Sequence, residues 1–251
     1  MGDLACVILA AGQGTRMKSR LPKVLHAVCG QPMVLWSLAS ARALGADPVA
    51  LVVGHGADLV RATVGDGVYY VLQAEQLGTG HAVLQAREAL EGQAGTVLVL
   101  YGDMPALRVE TLERLIAVHR AHHPAITMLT VDSPDSMGFG RVVRDASGRV
   151  RAIVEEAAAT ADVMAITELN CGVYCFDAGW LWAALPRIRA TPPKQEYYLT
   201  DTATLAVGDG RAIETVTIRD VTEVQGINTR VHLARCEGIL RARIAERLML
   251  S

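Results

Sequence analysis

Aromatic residues are scarce in this sequence, which is 51% hydrophobic but only 4% aromatic over 251 residues. Its core must therefore be built mainly from Ala, Val, Leu and Ile, a composition typical of buried parallel strands covered by helices. A chain of this length can bury a large core, so it needs no structural metal or disulfide bond to fold. The composition indicates an α/β protein.

Several other features are missing. No apolar run reaches the roughly 18 residues of a membrane span, and the N-terminus lacks the charged-then-apolar pattern of a signal peptide. The five cysteines include no Cys-x-x-Cys pair, which indicates reduced thiols in a cytoplasmic protein. A net charge of −2 argues against a nucleic-acid partner.

Short apolar runs rich in β-branched residues alternate with helical patterns in the first half of the chain. They predict strands at 6–10, 48–53, 69–72, 96–101 and 126–131, and helices at 33–44, 57–64, 81–90 and 109–122. Such alternation indicates βαβ units and a mostly parallel sheet.

The pattern changes in the second half. The runs 141–144, 150–155 and 168–176 predict antiparallel strands added to one edge of the sheet, and helices at 177–185 and 197–208 and a strand at 213–218 follow. The tail from Thr229 to Leu250 predicts a long helix. Its apolar stripe comprises Leu233, Leu240, Ile244 and Leu248.

The loop that follows the first strand, residues 9–23, is the most informative segment. Ligands of open α/β sheets bind outside the carboxyl ends of the strands, and Gly12 and Gly14 let the backbone approach a phosphate closely. No Asp or Glu occurs from Leu4 through Ala46. The loop's cations are Arg16, Lys18, Arg20 and Lys23. A polyphosphate site is therefore predicted, the alternative being a glycine turn with solvated cations.

Two other glycine-rich sites do not fit this loop. A dinucleotide fingerprint needs a third glycine where Met17 stands, and an acid after the second strand, where Gly54 and His55 stand. A P-loop needs a Gly-Lys-Ser/Thr sequence, which does not follow Gly14. A nicotinamide-dependent oxidoreductase is therefore disfavoured.

Asp103 follows a predicted buried strand at the same edge of the sheet. A carboxylate beside a polyphosphate is a typical Mg²⁺ ligand. The alternative is a turn or helix N-cap aspartate, which the nearby Pro105 favours. Pro105 also stands where a glycosyltransferase using a finished nucleotide sugar would have the second acid of Asp-x-Asp.

The histidines give little support to a zinc site. His119 and His123 are spaced i, i+4 on a predicted helix, which supplies half of such a site. The sequence suggests no third ligand nearby, and the run from His122 to Pro124 is typical of a helix exit.

Six segments resemble, in order along the chain, the uridylyltransferase domain of the N-acetylglucosamine-1-phosphate uridylyltransferase family. They are LAAGQGTRMKSRLPKVLH (9–26), QAEQLGTGH (73–81), YGDMP (101–105), GFGR (138–141), EYYLTD (196–201) and GIN (226–228). The start of the first is shared by sugar nucleotidyltransferases in general, whereas LPKVLH and GTGHA are more specific. The resemblance covers essentially the whole chain. It implies a Rossmann-like nucleotidyltransferase fold of the α/β class, with a mostly parallel sheet, an antiparallel edge and a long C-terminal helix.

The resemblance also implies roles for individual residues. Arg16, Lys23 and Asp103 are expected to be catalytic, and Asp103 and Asn228 to bind the cofactor Mg²⁺. The expected substrate-binding residues are Leu9, Ala10, Ala11, Gly12, Lys23, Gln73, Gly78, Thr79, Tyr101, Gly102, Asp103, Gly140, Glu155, Asn170 and Asn228. Of these, Gln73, Gly78 and Thr79 match the positions that read uracil. Gly140, Glu155 and Asn170 match those that hold the N-acetylglucosamine part.

The implied reaction joins UTP to N-acetylglucosamine 1-phosphate, giving UDP-N-acetylglucosamine, a cell-wall precursor, and pyrophosphate. A phosphate monoester has a second pKa of about 6, so the nucleophile is already ionised at neutral pH and needs no general base. Two alternatives stay open. One is another sugar-1-phosphate nucleotidyltransferase, making a different UDP- or dTDP-sugar, and the other is a non-catalytic subunit that senses sugar nucleotides.

The family further implies two units: residues 1–228 as the uridylyltransferase domain, and residues 229–251 as a helix leading to an acetyltransferase β-helix domain. The hexapeptide repeats of that second domain do not occur in this sequence. We therefore expect a piece of a longer protein or a single-function form, with a trimer only when the second domain is attached. The sequence departs from the family pattern at Ala157, Ala158, Cys171 and Gln195, which affects the expected loop shape near the sugar but not the reaction.

Overall fold

A computed structural model describes residues 3–191 and 195–250. The outer ends of the two predicted units, residues 1–2 and residue 251, lie outside the described residues. The strands are β1 (Leu4–Leu9), β2 (Ala27–Val28), β3 (Gln31–Pro32), β4 (Val49–Val53), β5 (Tyr69–Leu72), β6 (Thr96–Tyr101), β7 (Ile126–Asp132), β8 (Arg141–Arg144), β9 (Val150–Val154), β10 (Glu168–Asp177) and β11 (Ile213–Ile218). The helices are α1 (Met33–Ala43), α2 (Ala57–Val64), α3 (Thr79–Gln85), α4 (Arg87–Leu90), α5 (Val109–His122), α6 (Ala161–Met164), α7 (Ala178–Ala184), α8 (Asp201–Gly208) and α9 (Arg230–Leu250).

The central sheet has the strand order β11-β7-β10-β6-β1-β4-β5. β1 runs parallel to β4 and β6, β4 runs parallel to β5, and β11 runs parallel to β7. Nearly every side chain of β1 is buried. Since alternate residues of a strand face opposite sides, the sheet is covered on both faces. The predicted α/β class with a mostly parallel sheet is confirmed.

One antiparallel strand lies elsewhere than predicted. β10 is inside the sheet, where Tyr174 pairs with Val99 of β6 and with Met128 of β7. The edge position expected for residues 168–176 is therefore wrong. The β8–β9 hairpin lies off the main strand order and pairs with β10. The reason is burial on both faces: Cys175 packs into the core on one side and Phe176 into the core on the other.

Helices cover the two faces of the sheet and enclose two apolar cores. One core includes Leu38 of α1 and Leu115 of α5. The other includes Val83 of α3, Leu181 of α7 and Ala203 of α8. This layering leaves the carboxyl ends of the parallel strands as the open edge of the molecule.

The helix α9 packs against the domain with its first half. Cys236 and Leu240 are buried against Met17 and Val28, which belong to the first loop and the β2–β3 hairpin. Leu248, by contrast, is 68% exposed. The predicted apolar stripe is therefore buried only as far as Leu240.

The end of α5 agrees with the sequence prediction, whereas two other predicted helices differ from the structure. α5 ends at His122 as predicted, because His123 takes the left-handed conformation with φ 49° and a proline follows. The helix predicted at 81–90 is instead two short helices that meet at Ala86. The helix predicted from Tyr197 begins only at Asp201.

The cysteines and His119 are mostly buried within the fold. The five cysteines are free, and all but the half-buried Cys29 are buried. Burial raises the pKa of the Cys236 thiol to about 11. The imidazole of His119 is buried and shares a hydrogen bond of 2.9 Å with Thr127 Oγ1. No helix within the described ranges is long and apolar enough to cross a membrane.

Candidate active site

The first loop is fixed between neighbouring strand ends. The backbone N–H of Ala10 donates to the carbonyl of Val52, and that of Gly102 donates to the carbonyl of Leu9, both over 2.9 Å. These bonds tie the start of the loop to the ends of β4 and β6. The carboxyl edge predicted from the sequence is thus where the loop lies.

Gly14 sets the position of Lys23 within this loop. Its φ is +64°, a conformation that residues with side chains rarely adopt. A Cβ atom at Gly14 would lie 2.5 Å from Lys23 Cβ. The close approach of the two residues directs Lys23 across the floor of the cleft towards the end of β6.

Three side chains from distant parts of the chain meet on that floor. The ammonium of Lys23 forms a short ion pair with Asp103 and donates to Asn228 Oδ1 over 3.1 Å. The side chains of Lys23 and Asp103 are only 13% and 14% exposed. A backbone bond of 3.0 Å from Ile227 N–H to the Asp103 carbonyl holds the Asn228 segment against the strand end.

Asp103 and Asn228 supply oxygen ligands of the kind that Mg²⁺ prefers. The described residues include no cluster of three or more His, Cys, Asp or Glu side chains able to hold a metal by themselves. However, Asp103 Oδ2 and Asn228 Oδ1 already converge on one cation, the Lys23 ammonium. Mg²⁺ in phosphate-transfer sites takes few protein ligands and completes its shell with phosphates and water. This pair of oxygens fits such an ion.

The next wall of the cleft is formed where β5 ends. Gln73 follows β5, is only 4% exposed and donates from its backbone N–H to the Val53 carbonyl. Gly78 has a φ of +106°, and a Cβ there would lie 2.6 Å from the Tyr197 carbonyl oxygen. Thr79 begins α3, and its Oγ1 accepts from the N–H of Leu199. The LGTG segment is thus fixed against the EYYLTD segment.

The opposite end of the cleft is acidic. Glu155 Oε1 accepts a hydrogen bond of 2.7 Å from Thr200 Oγ1. Burial, with Asp201 and Glu196 nearby, raises the pKa of Glu155 above its usual value, although the Thr200 hydroxyl opposes the shift. Burial and the same carboxylates raise the pKa of Tyr198 to about 12. A neutral, hydroxyl-rich group suits this end better than a phosphate does.

A bulge in β10 shapes the wall between the two ends. The register shifts between Asn170 and Tyr174, and Asn170 Nδ2 donates to the Tyr174 hydroxyl over 2.7 Å. Gly172 lies in the bulge with a φ of +79°, and a Cβ there would lie 3.0 Å from the Tyr101 ring. Gly140 faces this wall from the start of β8, and its backbone carbonyl accepts from the Asn170 N–H.

The structure brings most of the predicted site residues to one cleft of about 440 Å³, a volume suited to a small ligand. Its walls include Leu9, Ala10, Ala11, Gly12, Lys23, Gln73, Gly78, Thr79, Tyr101, Asp103, Gly140, Glu155, Asn170 and Asn228. Arg16 and Gly102 are not among the lining residues. Arg16 is exposed on a single 3₁₀ turn, and Gly102 is buried. The role of each residue stays a prediction.

Sequence reasoning missed several residues in or behind this cleft. Gln76 lines it and donates to the Ala11 carbonyl over 3.0 Å. Tyr198 and Thr200 also line it. Arg230 donates from Nε to the Met17 carbonyl over 3.0 Å and from Nη2 to the Lys18 carbonyl over 2.9 Å. The first three lie inside or beside the recognised segments, so a closer reading of those segments could have included them.

The departures from the family pattern lie beside the cleft. Gln195 has a φ of +54°, the left-handed conformation in which the family's glycine is favoured. Cys171 is buried and lines the cleft next to Asn170. Ala157 and Ala158 lie in an exposed turn and are not lining residues.

A cleft with a cationic, glycine-rich end and an acidic, hydroxyl-binding end can hold a polyphosphate against a second, sugar-like substrate. Joining two such groups is the chemistry of nucleotidyltransferases. Residues 6–173 match the MobA-like NTP transferase domain family. The chain belongs to that family, and the predicted nucleotidyltransferase class is confirmed.

Similar proteins extend the match over the whole chain. The chain is 48% identical over 248 residues to bifunctional protein GlmU of Syntrophotalea carbinolica, a match that covers 98% of this chain and 53% of the relative. The bifunctional protein GlmU of Pelotomaculum thermopropionicum is 48% identical over 249 residues, with 99% and 54% covered. That of Halalkalibacterium halodurans is 45% identical over 249 residues, with 99% and 55% covered. The chain thus spans about half the length of these relatives.

Proposed function

We propose that this chain transfers UMP from UTP to N-acetylglucosamine 1-phosphate, releasing pyrophosphate and forming UDP-N-acetylglucosamine. The observation that carries the proposal is the meeting of Lys23, Asp103 and Asn228 beneath the first loop. The curated relatives are named bifunctional, and we assign one of their functions to the half that this chain matches. We also propose a cytoplasmic location, where the five free thiols would stay reduced.

The residues present account for the chemistry without a general base. The attacking group is a phosphate monoester oxygen, which is largely ionised at neutral pH because its second pKa is about 6. What the protein must supply is position and positive charge. Lys23, which lines the cleft, would supply charge at the triphosphate, and Arg16, exposed on the 3₁₀ turn of the first loop, would add more.

Asp103 and Asn228 would hold Mg²⁺, whose chemistry when bound is to neutralise charge on the reacting phosphates. The chain's own contribution is to hold these two oxygens together through the Ile227 backbone bond. At the other end, Glu155 and Asn170 would bind the hydroxyl and acetamido groups of the sugar. Glu155 is held by Thr200, and Asn170 is held by Tyr174.

The test is pyrophosphate release over a grid of nucleoside triphosphates and sugar 1-phosphates. We expect the highest kcat/KM for UTP with N-acetylglucosamine 1-phosphate. A different best pair would identify another nucleotidyltransferase of this family. No release with any pair, together with measurable binding of UDP-N-acetylglucosamine, would favour a sensing subunit. The intact Lys23, Asp103 and Asn228 argue against that second function.

A further inference from the structure

The side-chain amide of Gln73 has a defined orientation. Its Nε2 lies 3.1 Å from the Gly78 carbonyl oxygen and 3.0 Å from His81 Nδ1. A carbonyl oxygen only accepts hydrogen bonds, so the Gly78 contact requires the nitrogen, and not the oxygen, of the Gln73 amide on that side. The two hydrogens of Nε2 are then directed at Gly78 and His81.

His81 must accept from Gln73 rather than donate to it. Because Nε2 of an amide carries no acceptor, His81 Nδ1 has to be the unprotonated ring nitrogen. The proton of the neutral imidazole is then on Nε2, which lies 3.1 Å from the side-chain amide of Gln85. As placed, the Gln85 amide nitrogen lies 3.1 Å from His81 Nε2 and 3.4 Å from the His81 carbonyl oxygen. A half-turn exchanges the two amide atoms, so that Gln85 gives up the long contact with the carbonyl and its oxygen accepts the proton of Nε2. Gln73, His81 and Gln85 thus form one hydrogen-bonded chain, in which Gln73 donates to His81 and His81 donates to Gln85.

The consequence is that Gln73 offers only an acceptor to a ligand. Both of its hydrogens are used, and within residues 3–191 and 195–250 no group donates to its Oε1. Gln73 lines the cleft, whereas His81 lies behind it, with its ring centroid 6.4 Å from that of Tyr197. His81 therefore touches Gln73 without lining the cleft.

A Gln73 amide that presents only its oxygen acceptor distinguishes uracil from cytosine. Uracil carries a hydrogen on N3, whereas cytosine has a bare acceptor nitrogen at that position. If the Gln73 amide could turn over, it would present a donor and satisfy cytosine equally well. We infer that His81 is a positioning residue for base selection, which together with the Gly78 carbonyl fixes Gln73 with its oxygen towards the base and so excludes cytidine nucleotides. This inference rests on the proposed function, in which UTP is the nucleotide.

The experiment compares two substitutions of His81 in the full chain. His81→Phe keeps the ring but removes the acceptor, whereas His81→Asn keeps an oxygen acceptor close to the position of Nδ1. For each variant, kcat/KM is measured with UTP, CTP and dTTP. Thymine has the same N3 hydrogen as uracil, so the UTP/dTTP ratio reports changes in base recognition that do not involve N3. The UTP/CTP ratio reports the orientation of Gln73, and an equal fall in kcat/KM with all three nucleotides reports general damage to the site.

We expect His81→Phe to lower the UTP/CTP ratio about tenfold, the scale of one misdirected buried hydrogen bond, while the UTP/dTTP ratio stays unchanged. His81→Asn should keep both ratios near those of the wild type. If His81→Phe does not fold, His81→Leu takes its place. An unchanged UTP/CTP ratio, or an equal loss with all three nucleotides that Asn does not restore, would overturn the role of His81. A wild-type chain that does not use UTP would overturn the proposed function instead.

Discussion

Lys23 and Asn228 lie 205 residues apart in the sequence and are joined by a hydrogen bond of 3.1 Å from Nζ to Oδ1. The same ammonium is paired with Asp103. Residues from the first loop, from the end of β6 and from the segment before α9 thus depend on each other for position. Since the side chains of Lys23 and Asp103 are largely shielded from solvent, removing either charge leaves the other without compensation.

Asp103→Asn should abolish most of the activity. The substitution keeps the size of the side chain but removes the negative charge that would hold the cation and pair with Lys23. We expect kcat to fall by about two orders of magnitude or more, the scale of several kcal/mol of lost charge stabilisation. Pyrophosphate release with saturating substrates measures the loss.

The matched control is Asp132→Asn. Asp132 also ends a parallel strand, β7, but it is exposed and does not line the cleft. This variant should retain turnover within about twofold of the wild type, since exposed substitutions change little. If Asp103→Asn were as active as Asp132→Asn, Asp103 would not be a ligand of the metal.

Lys23→Met should separate binding of the metal from use of the nucleotide. In the free protein the Lys23 ammonium contacts both oxygens assigned to the metal. Without it, Mn²⁺ should bind the nucleotide-free chain more tightly, whereas turnover should fall about a hundredfold because the triphosphate loses a cation. Electron paramagnetic resonance of free Mn²⁺ measures the first effect. Lys18→Met, an exposed change in the same loop, is the control and should leave Mn²⁺ affinity unchanged. Equal Mn²⁺ affinities in the wild type and both variants would contradict the expectation that the Lys23 ammonium and the metal occupy the same position.

Features that depend on neighbouring residues in the sequence could be predicted, whereas features that depend on contacts between distant segments could not. The first loop and Asp103 were predictable, because each follows directly on a strand and the ends of parallel strands share one edge. The position of β10 was not, because its apolar pattern shows that it is buried without showing which strands flank it. Arg230 and His81 were missed for a similar reason. Their roles depend on contacts with backbone or side chains of other segments, which spacing along the chain does not encode.

Glu155→Gln should stabilise the protein at neutral pH while weakening sugar binding. Burial raises the pKa of Glu155 in the folded chain, so the ionised form is disfavoured there relative to the unfolded chain, where a glutamate titrates at about 4.3. The unfolded chain therefore releases this proton first, and stability is lost as pH rises from that value through the folded pKa. Glutamine carries no charge and still accepts from Thr200.

Melting temperatures at several pH values test this expectation. The Tm of Glu155→Gln should exceed that of the wild type at pH 8, and the difference should shrink towards zero near pH 4. Glu113→Gln, an exposed change on α5, should shift Tm little at any pH. A lower Tm for Glu155→Gln at pH 8 would show that partners other than Thr200 stabilise the Glu155 carboxylate.

Arg230→Met should loosen the first loop from the helix that follows Asn228. The guanidinium of Arg230 donates to the carbonyls of Met17 and Lys18, two bonds that methionine cannot make. Their loss should cost roughly 1–2 kcal/mol of stability and raise KM for UTP, because the first loop would have to be ordered by the nucleotide itself. Turnover at saturation should change less, since Lys23, Asp103 and Asn228 keep their own contacts. The control is Arg235→Met, an exposed change on the same helix, which should alter neither KM nor stability. A KM for UTP that is the same in both variants would show that the loop does not need Arg230 to hold its shape.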